Sequence, residues 1–169
     1  VNFLDSDDKL SPNALEVIYN YFKNNLNVNV ASIPLIFLGS DDENLLLENY
    51  NSNKLIDVYE DYTYPQLSIS SCFIKKDILN NYSFDEKLMI GEDSLLINEI
   101  LINEGKYAII KDAKYYFRIM PDESACSDTV KLQKDFFNDK VTYFYKQLTD
   151  YSIDKKGFLP DFIKYALAF

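Results

Sequence analysis

The chain has 169 residues, 47% of them hydrophobic and 26% charged, which is the balance of one water-facing globular domain with a real core. Its formal net charge of -10 supplies no basic face to displace counterions from phosphates, so nucleic acid is excluded as the main partner. Histidine is absent and cysteine occurs only at Cys72 and Cys126, which removes Ser-His-Asp and Cys-His catalysis, His-ligated metals and a secreted disulfide framework.

Val1 to Leu4 reads as the tail of a buried strand that ends at Asp5, Asp7 and Asp8. Ser11-Pro12 reads as a helix start, serine as cap and proline at the first position, with Leu15, Ile18 and Phe22 at helical spacing and Asn24-Asn25 as the end. Val28, Val30 and Ile33 to Leu38 look like strand, interrupted at Pro34, which points to an edge or a bulge. Gly39 to Asn53 is a polar excursion, Lys54 to Val58 a short strand, Gln66 to Ile74 a packed strand or tight turn, and Lys76 to Asn80 a short helix. From Ser94 to Asn103 apolar residues cover most of the circumference, which predicts a helix buried on most sides, closed by Gly105. Tyr107 to Ile110 and Lys114 to Arg118 read as strands, Thr129 to Thr149 as one long amphipathic helix, and Phe158 to Phe169 as a final shorter one. Helices and strands interleave, so the class is α/β. The sequence shows neither a signal peptide nor an apolar run of about 18 residues for a membrane span, and the cytoplasm is the default expectation.

Three stretches carry chemistry. In an extended segment Asp5 and Asp7 point the same way, and two carboxylates at a strand end form a hard oxygen site suited to Mg²⁺ or Mn²⁺ shared with substrate phosphates. The competing reading is a solvated acidic turn ahead of a helix. A calcium loop is rejected because Lys9 and Leu10 occupy a ligand position and the glycine position. Gly91-Glu92-Asp93 places two acids at the mouth of a buried helix, where one carboxylate can serve as a general base; the ordinary alternative is a helix cap made by Asp93 or Ser94. Arg118, at the end of YYFR and followed by Ser124, can clamp a phosphate or simply pair with a surface acid.

In that order, FLDSDDKLSPNAL, FDEKLMIGEDSLLINEIL and YYFRIMPDESACS resemble the second half of a family 2 glycosyltransferase with the GT-A fold. The resemblance covers about residues 1–127, with 128–169 as a helical tail, and implies a mixed sheet with flanking helices. It implies that Asp5 and Asp7 are the DxD positions that bind the divalent metal, Asp7 foremost. It makes Asp93 the catalytic base of inverting transfer with Glu92 beside it, and gives Arg118 and Ser124 a supporting role at the diphosphate. The implied partners are a nucleotide-sugar donor and a saccharide or polyol-phosphate acceptor, with peripheral membrane association through the full-length protein. QLSISSCFIKKDIL further resembles glycosyltransferase domains of bacterial teichoic-acid and capsule enzymes. Ile119-Met120 stand where such proteins often carry histidine, so no third metal ligand is expected from that segment. The nucleotide-binding strands that precede DxD in the family are not in this sequence, so the chain reads as a fragment with little transferase activity alone. A non-catalytic binding or assembly domain derived from the same fold is the alternative. A glycoside hydrolase is disfavoured, because clustered aspartates suit a metal better than a lone acid of raised pKa.

Overall fold

A computed structural model describes residues 1–39, 44–88, 90–119 and 141–168. Two sheets share one pair of strand lines. The larger has four strands in the order β4 (Lys54–Asp57), β6 (Lys106–Ile109), β2 (Val30–Ser32), β5 (Cys72–Ile74). The central β2–β6 pair is parallel and both outer pairs are antiparallel. The smaller sheet has the order β1 (Lys9–Leu10), β7 (Tyr115–Arg118), β3 (Leu35–Leu38), with β3 and β7 parallel. Chain line β2–β3 therefore runs beside chain line β6–β7 through both sheets.

Pro34 sits at the break between them. β2 is central rather than an edge, and Pro34, which has no N–H to give, still accepts a hydrogen bond from the Tyr115 amide through its carbonyl at 2.9 Å. The neighbouring line takes up the offset with extra residues between Ile109 and Tyr115, and β3, which Pro34 directly precedes, is an edge strand of its sheet among the described residues, as the edge alternative has it.

Alternation along the strands explains the layers. Val30, Cys72, Ile74, Tyr107 and Ile109 face one core together with Leu96, Ile97, Ile100 and Leu101 of helix α3 (Glu92–Glu104). Ala31, Phe73 and Ala108 face the opposite way, onto Ala14 and Ile18 of helix α1 (Ala14–Asn24). Helix α2 (Lys76–Leu79) follows β5, where a short helix is expected. α3 is buried over most of its circumference, as its composition predicts, because α4 (Thr142–Lys156) lies along its other side. Leu148 of α4 and Phe162 and Ile163 of α5 (Asp161–Ala166) join the same core as the sheet. Gly105 ends α3 at φ 70°, with its amide bonded to the Leu101 carbonyl at 2.9 Å.

Several expectations change. Val1 to Leu4 is not a buried strand: Val1 and Leu4 are about half exposed, although Val1 exchanges two backbone bonds with Ile74 at the outer side of β5. α1 starts at Ala14 with Asn13 as its cap residue, because the Ser11 hydroxyl is occupied elsewhere, donating to the Asn13 side chain and accepting the Lys114 amide. The long C-terminal helix runs past Thr149 to Lys156, where Gly157 at φ 80° stops it; the part expected before residue 141 lies outside the described residues. Within Gly39 to Asn53 a single 3-10 turn forms at Leu47–Tyr50.

Candidate functional site

The acidic segment crosses between two supports. At one end the Asn2 side-chain amide donates to the carbonyls of Ser70 and Cys72 at 2.6 and 2.9 Å, and Phe3 meets Phe84 edge to face. At the other end Lys9 and Leu10 pair antiparallel with Tyr116 and Tyr115 of β7. Asp5 to Asp8 thus form a short turn suspended between the 66–72 segment and the end of β7, closed by the Asp8 amide on the Asp5 carbonyl at 3.2 Å.

The three aspartates are not equivalent. Both Asp8 oxygens are occupied: Oδ2 accepts the Tyr115 hydroxyl and Oδ1 accepts the Arg118 amide, each at 2.7 Å. Tyr115 is fully buried, so Asp8 anchors the turn to the core. Asp5 and Asp7 are exposed, and no hydrogen bond among the described residues takes up either carboxylate. Asp5 has its pKa raised, first by partial desolvation and then by the charges of Asp8 and Asp7. A cation between Asp5 and Asp7 would relieve that repulsion. Among the described residues no cluster of three or more His, Cys, Asp or Glu side chains is arranged around a common metal position. The donor set is two carboxylates, which suits a hard ion that keeps most of its coordination sphere for water and phosphate oxygens.

Arg118 lies at the same place. It is exposed, its Nε donates to the Asp7 carbonyl at 3.0 Å, and no ion pair among the described residues engages its guanidinium. Its guanidinium is held beside the turn by that bond to the Asp7 carbonyl. Ser124 lies outside the described residues.

Asp93 approaches from α3. Its helix is capped by neither Asp93 nor Ser94. Gly91 takes the cap position at φ 87°, a left-handed conformation that an L side chain adopts only with strain, and its carbonyl accepts the Leu95 amide. Freed from capping, Asp93 turns to the 66–72 segment, where Oδ2 accepts the Ser68 hydroxyl at 3.3 Å. Burial raises its pKa, the Glu92 charge adds to that, and the charge of Asp5 contributes as well; Ser68 and the Ile69 amide work in the opposite direction. The 66–72 segment thus contacts both stretches, Asp93 through Ser68 and the start of the acidic segment through Asn2. Glu92 carries one buried carboxylate oxygen without a hydrogen-bond partner among the described residues.

Beside Asp93 opens a cleft of about 310 Å³, lined by Leu35 and Phe37 of β3, Asn44 to Leu46, Tyr50, Gln66 to Ser68, and Ser71. Beneath it lies a buried polar cluster. The Ser32 and Tyr50 hydroxyls are 2.7 Å apart, Ser32 donates to Gln66 Oε1 at 2.9 Å, and Gln66 Nε2 donates to Tyr50. Burial pushes both the Tyr50 phenol and the Cys72 thiol up to about 12, so Cys72 is no thiolate nucleophile at neutral pH. The anchoring bond of Asp8 to Tyr115, the contact of Ser68 with Asp93 and the cleft are what sequence reasoning missed; the alternation of small hydroxyl residues with apolar ones in Gln66 to Cys72 was a signal for Ser68 alone.

No family model matches the chain. It is 35% identical to the minor teichoic acid biosynthesis protein GgaB of Bacillus subtilis (strain 168) over 167 residues, covering 98% of this chain and 19% of that protein. It is 33% identical to the poly(ribitol-phosphate) beta-N-acetylglucosaminyltransferase TarP of Staphylococcus aureus (strain N315) over 128 residues, covering 74% of this chain and 38% of TarP. The chain thus spans well under half the length of these relatives. Residues 1–349 of S. aureus TarS, solved in complex with UDP-GlcNAc, superpose with a TM-score of 0.70 at 16% identity, covering 100% of this chain and 49% of that one. The chain is therefore a relative of teichoic-acid biosynthesis proteins and carries the mixed α/β, GT-A-like fold of TarS.

Proposed function

We propose that the protein carrying this chain is a metal-dependent, inverting glycosyltransferase of teichoic-acid or related surface-polysaccharide synthesis, with a nucleotide sugar as donor and a hydroxyl as acceptor. The observation that carries the reading is geometric: the 66–72 segment holds Asp93 through the Ser68 hydroxyl and, through the Ser70 and Cys72 carbonyls, holds Asn2 at the root of the Asp5–Asp8 turn. The sequence relatives, one of them named for N-acetylglucosaminyl transfer, and the TarS fold support the same class.

In this reading Asp5 and Asp7 hold Mg²⁺ or Mn²⁺, and the ion supplies charge neutralisation for the departing diphosphate. Arg118, fixed by its bond to the Asp7 carbonyl, presents N–H donors to the same phosphates. Asp93 takes the proton of the acceptor hydroxyl as that oxygen attacks the sugar carbon from the face opposite the leaving group. Its raised pKa makes it a stronger base than an ordinary exposed aspartate. The Ser68 hydroxyl and the Ile69 amide fix the orientation of the Asp93 carboxylate toward the acceptor. Glu92 adds negative charge beside the base and keeps its affinity for the proton high. The inverting stereochemistry follows from a base that acts on the acceptor without itself attacking the sugar.

The test is Asp93→Asn in the full-length protein. Transfer falls by about 10²- to 10⁴-fold with binding of UDP and Mn²⁺ retained. Unchanged transfer removes Asp93 from the chemistry. Asp5→Asn with Asp7→Asn abolishes the Mn²⁺-dependent part of UDP binding; a metal response that survives this pair places the ion elsewhere.

A further inference from the structure

The cleft beside Asp93 has a lining that selects its occupant. Every described lining residue is uncharged: leucine, phenylalanine, tyrosine, asparagine, glutamine and serine. Much of its polarity is already committed. Asn44 donates to the Leu35 carbonyl and accepts the Leu46 amide, and Gln66 and Tyr50 are bonded to Ser32 and to each other. The rest of the lining is Phe37 and the leucines, with Ser71 and with Ser68, whose hydroxyl donates to Asp93 and accepts the Ser70 amide. A phosphate seated there would lose its water with no described cation to compensate. A sugar ring matches the surface, since its C–H face lies on aromatic and aliphatic side chains while its hydroxyls meet serines.

We propose that this cleft holds the acceptor, and that it binds the uncharged sugar ring bearing the accepting hydroxyl rather than a polyol phosphate. The assignment rests on the transferase reading above and deepens it. Ser68 makes the link, because it lines the cleft and also donates to Asp93, so a ring seated in the cleft brings a hydroxyl to the base. Any phosphate that the acceptor carries is left outside, in solvent.

The experiment is calorimetric titration of the full-length protein, in Mn²⁺ and UDP, with a panel of methyl glycosides and separately with glycerol 3-phosphate and ribitol 5-phosphate. At least one methyl glycoside binds and the polyol phosphates do not. Leu67→Ala weakens the glycoside by about fivefold through lost apolar contact. Leu45→Lys changes a residue 86% exposed at the cleft and installs the missing cation, so polyol phosphate then binds measurably. Preference for a polyol phosphate in the unaltered protein, or glycoside binding indifferent to Leu67→Ala, overturns the assignment. UDP binding retained with no glycoside bound overturns the cleft's role and leaves the transferase reading standing. Glycoside binding in a protein that never binds UDP overturns the acceptor role, because the transferase reading itself has then failed.

Discussion

Replacing Asp8 with alanine separates an anchor from a metal ligand, two roles that DSDD leaves indistinguishable. Asp8 accepts two hydrogen bonds at 2.7 Å, one from the hydroxyl of fully buried Tyr115 and one from the Arg118 amide. A hydrogen bond to a charged group contributes about 1.5–3 kcal/mol. Asp8 is itself half-buried and its partners partly regain water on truncation, so Asp8→Ala should cost about 3 kcal/mol rather than the sum of both upper values. For a domain of this size that is a fall of roughly 6–12 °C in Tm. Tyr115→Phe breaks only one of the two bonds, for about 1 kcal/mol, and the double variant is less destabilised than the sum of the singles because the two residues share that bond. The assay is thermal unfolding of the protein carrying the chain, run beside an Mn²⁺ titration. Asp5→Ala and Asp7→Ala should weaken the metal response with little loss of Tm, and Asp8→Ala should do the reverse in rank. An unchanged Tm for Asp8→Ala, or a metal response lost in Asp8→Ala alone, refutes the division of labour.

Asp93→Asn should hold or raise thermal stability at neutral pH. Its pKa is raised on folding, so above that value the ionised group subtracts from stability, and the amide removes the charge; a clear loss of Tm would make Asp93 a structural residue. Transfer rate in the intact protein should decline as pH falls through the raised Asp93 pKa, at higher pH than an ordinary carboxylate gives, and a profile flat down to about pH 4 speaks against this base. Asp85 has the opposite shift: the Lys87 amide first, and then the Tyr143 hydroxyl at 2.8 Å, hold its pKa low. Its contribution is present above the ordinary carboxyl pKa and is lost as pH falls through the lowered one, so Tyr143→Phe should move acid unfolding to higher pH; identical acid midpoints would remove that bond from the stability of the α4 contact. Gly39 sits at φ 90°, and a Cβ there would lie 2.6 Å from the Ile119 carbonyl oxygen, so Gly39→Ala should destabilise by about 1–3 kcal/mol in a denaturant titration, against less than 0.5 if the backbone there relaxes freely.

What the sequence made legible depended on how local each signal was. α3 announced itself because its apolar run covers most of the helix circumference, and Gly105 marked its end because glycine adopts the left-handed conformation there without strain. The strands β6 and β7 were equally plain. The cap of α1 was misplaced because the Ser11 hydroxyl has a distant competitor: Lys114 is far off in sequence, and its amide occupies that oxygen. Asp93 as a cap failed for the same reason, with Ser68 as the competing partner across the fold. Asp5, Asp7, Asp93 and Arg118 could be named from motif order, and of these the fold joins Arg118 to the Asp7 carbonyl directly. Which aspartate is spent on anchoring could not be read, because it is decided by Tyr115 and Arg118 on another strand.

The site also explains why an acidic cluster survives in a protein already at net charge -10. Asp5, Asp7 and Asp8 lie in one turn and Glu92 and Asp93 in one helix turn, and the pKa of both Asp5 and Asp93 is raised, first by desolvation and then by the charges of neighbouring acids. Among the described residues the fold pairs none of these acids with a lysine or arginine in an ion pair. It uses backbone N–H and hydroxyl donors for Asp8 and Asp93, and leaves Asp5 and Asp7 bare. A lysine in the same space would satisfy the aspartates permanently and make a diphosphate indifferent to them. In the proposed function, the unbalanced charge is what a divalent ion and a diphosphate would neutralise together. On this argument a lysine substituted for Ser6, between the two bare aspartates, should raise the stability of the protein while removing its Mn²⁺-dependent UDP binding. The same variant binding metal as well as the unaltered chain would show that the bare pair is incidental.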